Sequence, residues 1–223
     1  MSKLPSSSLV NVYDAIEAKI ATVSEYIKKW LQYQSLWDLH TDAIYAAIGE
    51  DLVKWQQLVN EIKRARGTFD NAETEKSFGS LVIDYDQVQT KVNAKYDQWQ
   101  REILTKFGGH LGNSVKEFFG NLSKARTELE QRTVETSSTS DAVEFITFVQ
   151  DLKKKLSKWT ENVELYKISQ KALERQRFVF PSDWLYVENV EGEWNAFNEI
   201  LKRKSGAISE HTGKIIPILN SNN

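Results

Sequence analysis

Apolar side chains return along this chain every three or four residues, the stride of a helix that buries one face. From Leu9 the series runs through Tyr13, Ile16, Ile20, Val23, Ile27, Trp30 and Trp37, with Gln34 its one polar member. Ser7 and Ser8 suit the cap of such a helix. The pattern drifts through Leu39-His40-Thr41-Asp42 and resumes at Ile44, Ile48, Leu52, Trp55, Val59 and Ile62. Gly67 is a good stop. Residues 9–66 are therefore expected as one long helix, or two that meet near 40, behind a leader of residues 1–8.

Residues 67–84 break the rhythm and read as an irregular connector. Phe69-Asp70-Asn71 looks like a turn, 71–78 admit a short helix, and Leu81-Val82-Ile83 suit an extended segment over 79–84. The seam returns at Tyr85 and continues through Val88, Val92, Tyr96, Trp99, Ile103 and Phe107. Val115, Phe118, Leu122, Ala125 and Leu129 then carry it on. A second long helical segment over 85–132 follows, with Gly108, Gly109 and Gly112 as a weak point, either a kink or a break. A polar loop occupies 133–140.

The clearest seam comes next: Ala142, Phe145, Val149, Leu152, Leu156, Trp159, Val163 and Tyr166, interrupted at Gln170 and resumed at Leu173. Asp141 and Glu144 resemble a capping box with Asp in place of Ser or Thr. This helix is expected over 141–178, ended by Phe180-Pro181. After a connector at 179–188, Val190, Trp194, Phe197 and Leu201 mark a last helix over 189–210. Lys202-Arg203-Lys204 sits near its end, where cations suit the dipole. Gly213, Pro217 and the closing Asn-Ser-Asn-Asn suggest a disordered or non-native tail over 211–223.

These are helices of roughly 30 to 45 residues, against a mean near 11–12 in globular domains. The fold class expected is all-α, as elongated antiparallel bundles of long helices with short irregular connections. No fixed-period repeat marks a solenoid. Composition agrees: only 3 prolines and 10 glycines punctuate 223 residues. The formal net charge is −2 with the signs interspersed, so no basic balance argues for nucleic acid. No apolar run suggests a membrane span or a secretory signal.

Candidate chemistry is sparse. The absence of cysteine removes disulfides, zinc–thiolate sites and thiol catalysis. His40, His110 and His211 lack metal-spaced partners, and the run from Gly206 to Lys214 misses the phosphate-loop spacing. No catalytic, cofactor or metal-binding residue is expected. Lys153-Lys154-Lys155 with Lys158 reads as the solvated back of a helix. Asn121-Leu122-Ser123 is a formal glycosylation sequon that would be silent in the cytosol. The 7 tryptophans are the unusual feature. Trp30, Trp55, Trp99, Trp159 and Trp194 fall on apolar stripes and, with Phe145, are the expected core. Trp37, Phe69 and Trp184 lie in irregular stretches and are candidate partner contacts.

Four irregular stretches are more specific than any helical pattern. They are Trp30-Leu31-Gln32-Tyr33-Gln34-Ser35-Leu36-Trp37-Asp38, Ala65 to Thr74 (ARGTFDNAET), Ser138-Thr139-Ser140-Asp141-Ala142-Val143, and Phe180-Pro181-Ser182-Asp183-Trp184-Leu185-Tyr186 through Glu191-Gly192-Glu193-Trp194. In this order and spacing the chain, over roughly 10–205, resembles the tail (stem) of the cytoplasmic dynein heavy chain, in the part leading towards the linker. It departs from that pattern after about Ser209, and the opening Met-Ser-Lys is read as an addition. The resemblance implies a cytoplasmic, microtubule-associated machine whose ATPase ring lies elsewhere. It also implies consecutive helical bundles in the tail, with intermediate and light-intermediate chains, dynactin and adaptors as partners beside other heavy-chain segments. The expectation is a non-catalytic spacer or scaffold without cofactor. The alternatives are a docking module for those accessory chains and a generic coiled-coil or spectrin-like scaffold.

Overall fold

The computed structural model describes residues 6–67, 69, 73–134 and 138–221. Part of the expected leader, Asp70 and Asn71 of the expected turn, and the middle of the 133–140 loop lie outside the described residues. Among the described residues the chain is all-α apart from one short hairpin. It divides into two compact units, residues 1–51 with 57–103, and residues 52–56 with 104–223.

The first unit opens with α1 (Ser6–Leu31), followed by a tighter 3-10 turn (Gln32–Gln34), α2 (Ser35–Asp38), α3 (Thr41–Ile48) and most of α4 (Leu52–Gly67). Residues 9–66 thus form four helices rather than one or two. The backbone shows why. Leu39 leaves the helical region with ψ of 118°, and Gly49, at φ 57°, ends α3 in a conformation that favours glycine. The hairpin pairs β1 (Glu75–Phe78) with β2 (Leu81–Asp84) antiparallel, Phe78 opposite Leu81 and Glu75 opposite Asp84. Residues 75–78 are therefore strand, correcting the short helix expected there. Gly79, at φ 76°, permits the two-residue turn, and β-branched Val82 and Ile83 suit the pleat. Asp84 then caps α5 (Asp86–Gln131), its Oδ1 accepting the Asp86 N–H at 2.9 Å. Leu36, Tyr45, Val59, Ile62, Phe69, Tyr85, Val92, Tyr96 and Ile103 form this unit's core.

The second unit is a three-helix bundle of α5 from Leu104 onward, α6 (Thr139–Arg175) and α7 (Val187–Ser221), with Leu52 and Trp55 buried in it. Gln170 meets Glu188, Lys167 meets Glu191 and Trp159 meets Phe197, so α7 runs antiparallel to α6. Arg126 meets Glu193 and Lys204 meets the Arg132 carbonyl, so it runs parallel to α5. Phe107, Leu111, Val115, Leu122 and Leu129 on α5, Phe145 and Leu173 on α6, and Val190 and Phe197 on α7 are all but inaccessible.

α5 runs through Gly108, Gly109 and Gly112 as one helix, so the weak point expected there is not a break. Two expectations are corrected here. The cap of α6 is Ser138, whose Oγ accepts the Asp141 N–H at 3.2 Å and donates to the Asp141 carboxylate at 2.8 Å. Asp141 is thus the third-position partner of the cap, not the cap itself. Finally, α7 begins at Val187 and continues to Ser221, so residues 211–221 are helical. Its hydroxyls at 209 and 212 fold back onto carbonyls one turn earlier, at 3.1 and 2.7 Å, and Gly206 and Gly213 do not stop it.

Candidate interaction surface

Helix α1 carries an apolar arc wider than its own unit covers. One strip of it, Val23, Tyr26, Trp30 and Tyr33 with the following turn, is half-buried. It rests on aromatic neighbours. Tyr26 meets Phe78 and Tyr85 at ring separations of 5.4 and 5.8 Å, Trp30 meets Tyr85 at 4.6 Å and Phe69 at 5.6 Å, and Tyr33 meets Phe69 at 4.8 Å. Burial, then a hydrogen bond with Tyr26, pushes the Tyr85 phenol up to about 12, so this hydroxyl stays protonated at any ordinary pH.

The adjacent strip is uncovered. Leu9, Tyr13, Ile16, Ile20, Ile27 and Leu31 are 47–67% exposed. Their spacing of four, three, four, seven and four residues keeps them on one side of the helix, with Ser24 in the gap. Contiguous exposed apolar surface of this kind marks an interaction site more often than scattered single residues do.

The expected core residues are placed differently from one another. Trp55 and Phe145 are fully buried, and Trp55 stacks on His110 at 5.4 Å. Trp30, Trp99, Trp159 and Trp194 are half-buried at the margins of their units. Trp159 lies edge-on to Phe118 at 5.7 Å and beside Phe197 at 5.5 Å. Of the candidate contacts, Trp37 is 48% exposed and free to meet a partner. Phe69 is 1% exposed, so it is core rather than a contact: its N–H donates to the Arg66 carbonyl and its ring is closed over by Trp30 and Tyr33. Trp184 is half-buried and already engaged, its Nε1 donating to Gln170 Oε1 at 3.4 Å.

Gln170 is the residue that seam counting missed, since there it only interrupts the pattern. It is 3% exposed and ties the α6–α7 turn together. Its Oε1 also accepts the Val187 N–H at 2.9 Å, and its Nε2 donates to Glu174 at 3.0 Å and Glu188 at 3.2 Å. A polar residue at one seam position, flanked by helix and followed by a connector, was the available signal. Ser169 is buried beside it and accepts from Gln56 at 2.7 Å. Ion pairs rim the bundle. Lys116 meets Asp183 at 2.7 Å and holds its carboxyl below the usual range, and Glu191 raises Lys167 through a 2.6 Å contact.

Among the described residues no group of three or more His, Asp or Glu is arranged to hold a metal, and no helix is long and apolar enough to cross a membrane. One open hollow runs along α6, lined by Ser157, Thr160, Glu161, Glu164, Leu165 and Ile168, and another lies between α1, the 3-10 turn and the start of the hairpin, lined among others by Trp30, Tyr33 and Lys76. What the geometry offers is exposed apolar surface on α1. No family model matches the chain. Curated relatives do. It is 53% identical over 210 residues to the cytoplasmic dynein heavy chain of Dictyostelium discoideum, covering 94% of this chain and 4% of the relative. It is 49% identical over 216 residues to that of Drosophila melanogaster (96% and 5%), and 41% over 200 residues to that of Caenorhabditis elegans (90% and 4%). The chain is a cytoplasmic dynein heavy-chain homologue. It spans about one twentieth of the length of these relatives. The uncovered strip of α1 is thus a feature of a heavy-chain region whose relatives are far longer than itself.

Proposed function

We propose that this dynein heavy-chain region is a non-catalytic spacer in the tail, passing geometry between the cargo- and subunit-binding end and the microtubule motor in the cytoplasm. The observation that supports it is α5, 46 residues of helix without interruption, backed by 37 residues of α6 and 35 of α7. A helix of that length keeps its direction where a loop would not, and most of its stability comes from the packed face. The test is replacement. A full heavy chain in which this region becomes a Gly/Ser linker of matching reach is expected to keep ATP turnover but lose processive transport of a load. Undiminished transport would remove the spacer reading.

The uncovered strip of α1 favours a second role beside the first, as the face by which the region joins an amphipathic helix. That helix belongs to another heavy-chain segment, an intermediate or light-intermediate chain, dynactin or an adaptor. Helical spacing maintained from Leu9 to Leu31 suits a helix lying alongside, since a strand or a globular knob would reach only part of it.

A further inference from the structure

Two stretches of this chain look weak in sequence, the glycines of α5 at 108–112 and the connector after α6. They are the two halves of one joint. A Cβ on Gly108 would collide with Cζ of Phe178, and one on Gly112 would lie 3.0 Å from Cζ3 of Trp184. The missing side chains form a notch on α5, and two aromatic rings of the connector fill it. Gly109, between them, faces open space, with nothing within 4 Å of a Cβ built there. Fit explains two of the three glycines. The third only loosens the helix, because glycine is the poorest helix former after proline.

The connector is built to stay seated. Phe178, Phe180, Trp184 and Tyr186 form one pile of rings, with separations of 5.1 Å (178–180), 4.9 Å (180–184) and 5.6 Å (180–186). Gln170 fixes the far end through Trp184 Nε1 and the Val187 N–H, and Asp183 pairs with Lys116 on α5 itself. The outer edge is open: Val179 is 86% and Tyr186 43% exposed. The strap can therefore be gripped from outside while its inner rings hold the helix.

We propose that residues 108–112 are a latent hinge in α5 and that the 176–186 connector is a clasp holding it straight, so that lifting the clasp frees the hinge. With the rings in the notch, this turn cannot bend towards them. With the rings gone, Gly108 and Gly112 lose the side chains that fill the space beside them, and three glycines stand within five residues. This holds whether or not the region acts as a spacer.

Native-state hydrogen exchange on the 223-residue chain tests it. In the unaltered chain the amides of 109–116 are expected to open together with those of Trp184 and Val187, more often than the chain unfolds globally. In F178A/W184A their exchange is expected to rise at least tenfold, with residues 122–129 unchanged. Adding Gly108→Ala, Gly109→Ala and Gly112→Ala to that variant should return the protection, since the vacated notch accepts methyl groups. Exchange of 109–116 only through global unfolding, or no response to loss of the rings, overturns the proposal. Should F178A/W184A fail to fold, the exchange pattern of the unaltered chain still decides.

Discussion

At the scale of single residues, neighbours in the chain have opposite jobs. Gly108→Ala forces a methyl against the Phe178 ring, whereas Gly109→Ala adds one to open space. The first is expected to destabilise by about 1–3 kcal/mol through overpacking. The second is expected to stabilise by about 0.5–1 kcal/mol through helix propensity and a less flexible unfolded chain. Chemical denaturation of the two variants checks this, and equal signs would mean the notch is not filled as described. The tryptophans divide in the same way. Trp55 is fully buried, so Trp55→Ala should cost about 3–5 kcal/mol. Trp159 sits half-buried between Phe118 and Phe197, so its truncation should cost about 1–3 kcal/mol. Thermal melts that rank Trp159→Ala as the more damaging of the pair would reverse the assignment. Seam counting placed both on apolar stripes, and it could not separate them. An apolar stripe fixes which side of a helix faces inward, but the depth of each residue depends on what lies across from it.

At the scale of elements, the termination of α6 is instructive. The helix ends at Arg175 in a Schellman arrangement. The Phe178 N–H reaches the Leu173 carbonyl at 3.1 Å, the Arg177 N–H reaches the Glu174 carbonyl at 2.9 Å, and the second residue past the helix is in the left-handed region. Glycine usually fills that position, but here it is Arg177, at φ 55°. Arg177→Gly is therefore expected to stabilise by roughly 1 kcal/mol, read from the unfolding free energy, because a Cβ is disfavoured there. A destabilised variant would show that the arginine side chain contributes more than its backbone costs. The missing glycine is also why the sequence pointed to Phe180-Pro181 as the stop. The existence of α5, α6 and α7 was legible because long 3/4 seams have few other readings. The hairpin was half legible: Leu81-Val82-Ile83 suggested extension, while Glu75-Lys76-Ser77-Phe78 carries no alternation that sets it apart from helix. The same limit applied at 108–112, where glycines read as weakness until the rings that occupy their space were known. The exposed strip of α1 was hidden for the opposite reason. A seam in sequence looks alike whether its neighbour belongs to the same unit or to something else.

At the scale of the whole molecule, that strip decides how this chain relates to the much longer heavy chains it resembles. Six large apolar residues half-exposed on one side of a helix contribute little to the fold of their own unit. Substituting them should accordingly leave stability within about 0.5 kcal/mol, as at other surface positions. If a partner covers them, the association gains about 25 cal/mol per Å² of apolar area buried. The chain contains no cysteine, so a thiol can be placed there without competition. Ile16→Cys and Ile20→Cys are expected to react rapidly with a maleimide in the 223-residue chain. In a heavy chain of the relatives' full length, assembled with its accessory chains, the same two positions should react at least tenfold more slowly, read site by site by mass spectrometry. Removing the accessory chains then separates the occupants. Protection that persists assigns the covering helix to the heavy chain itself, and protection that disappears assigns it to an accessory chain. Equal labelling in the short chain and in the full assembly would leave the strip bare in both, and α1 would not be a joining face.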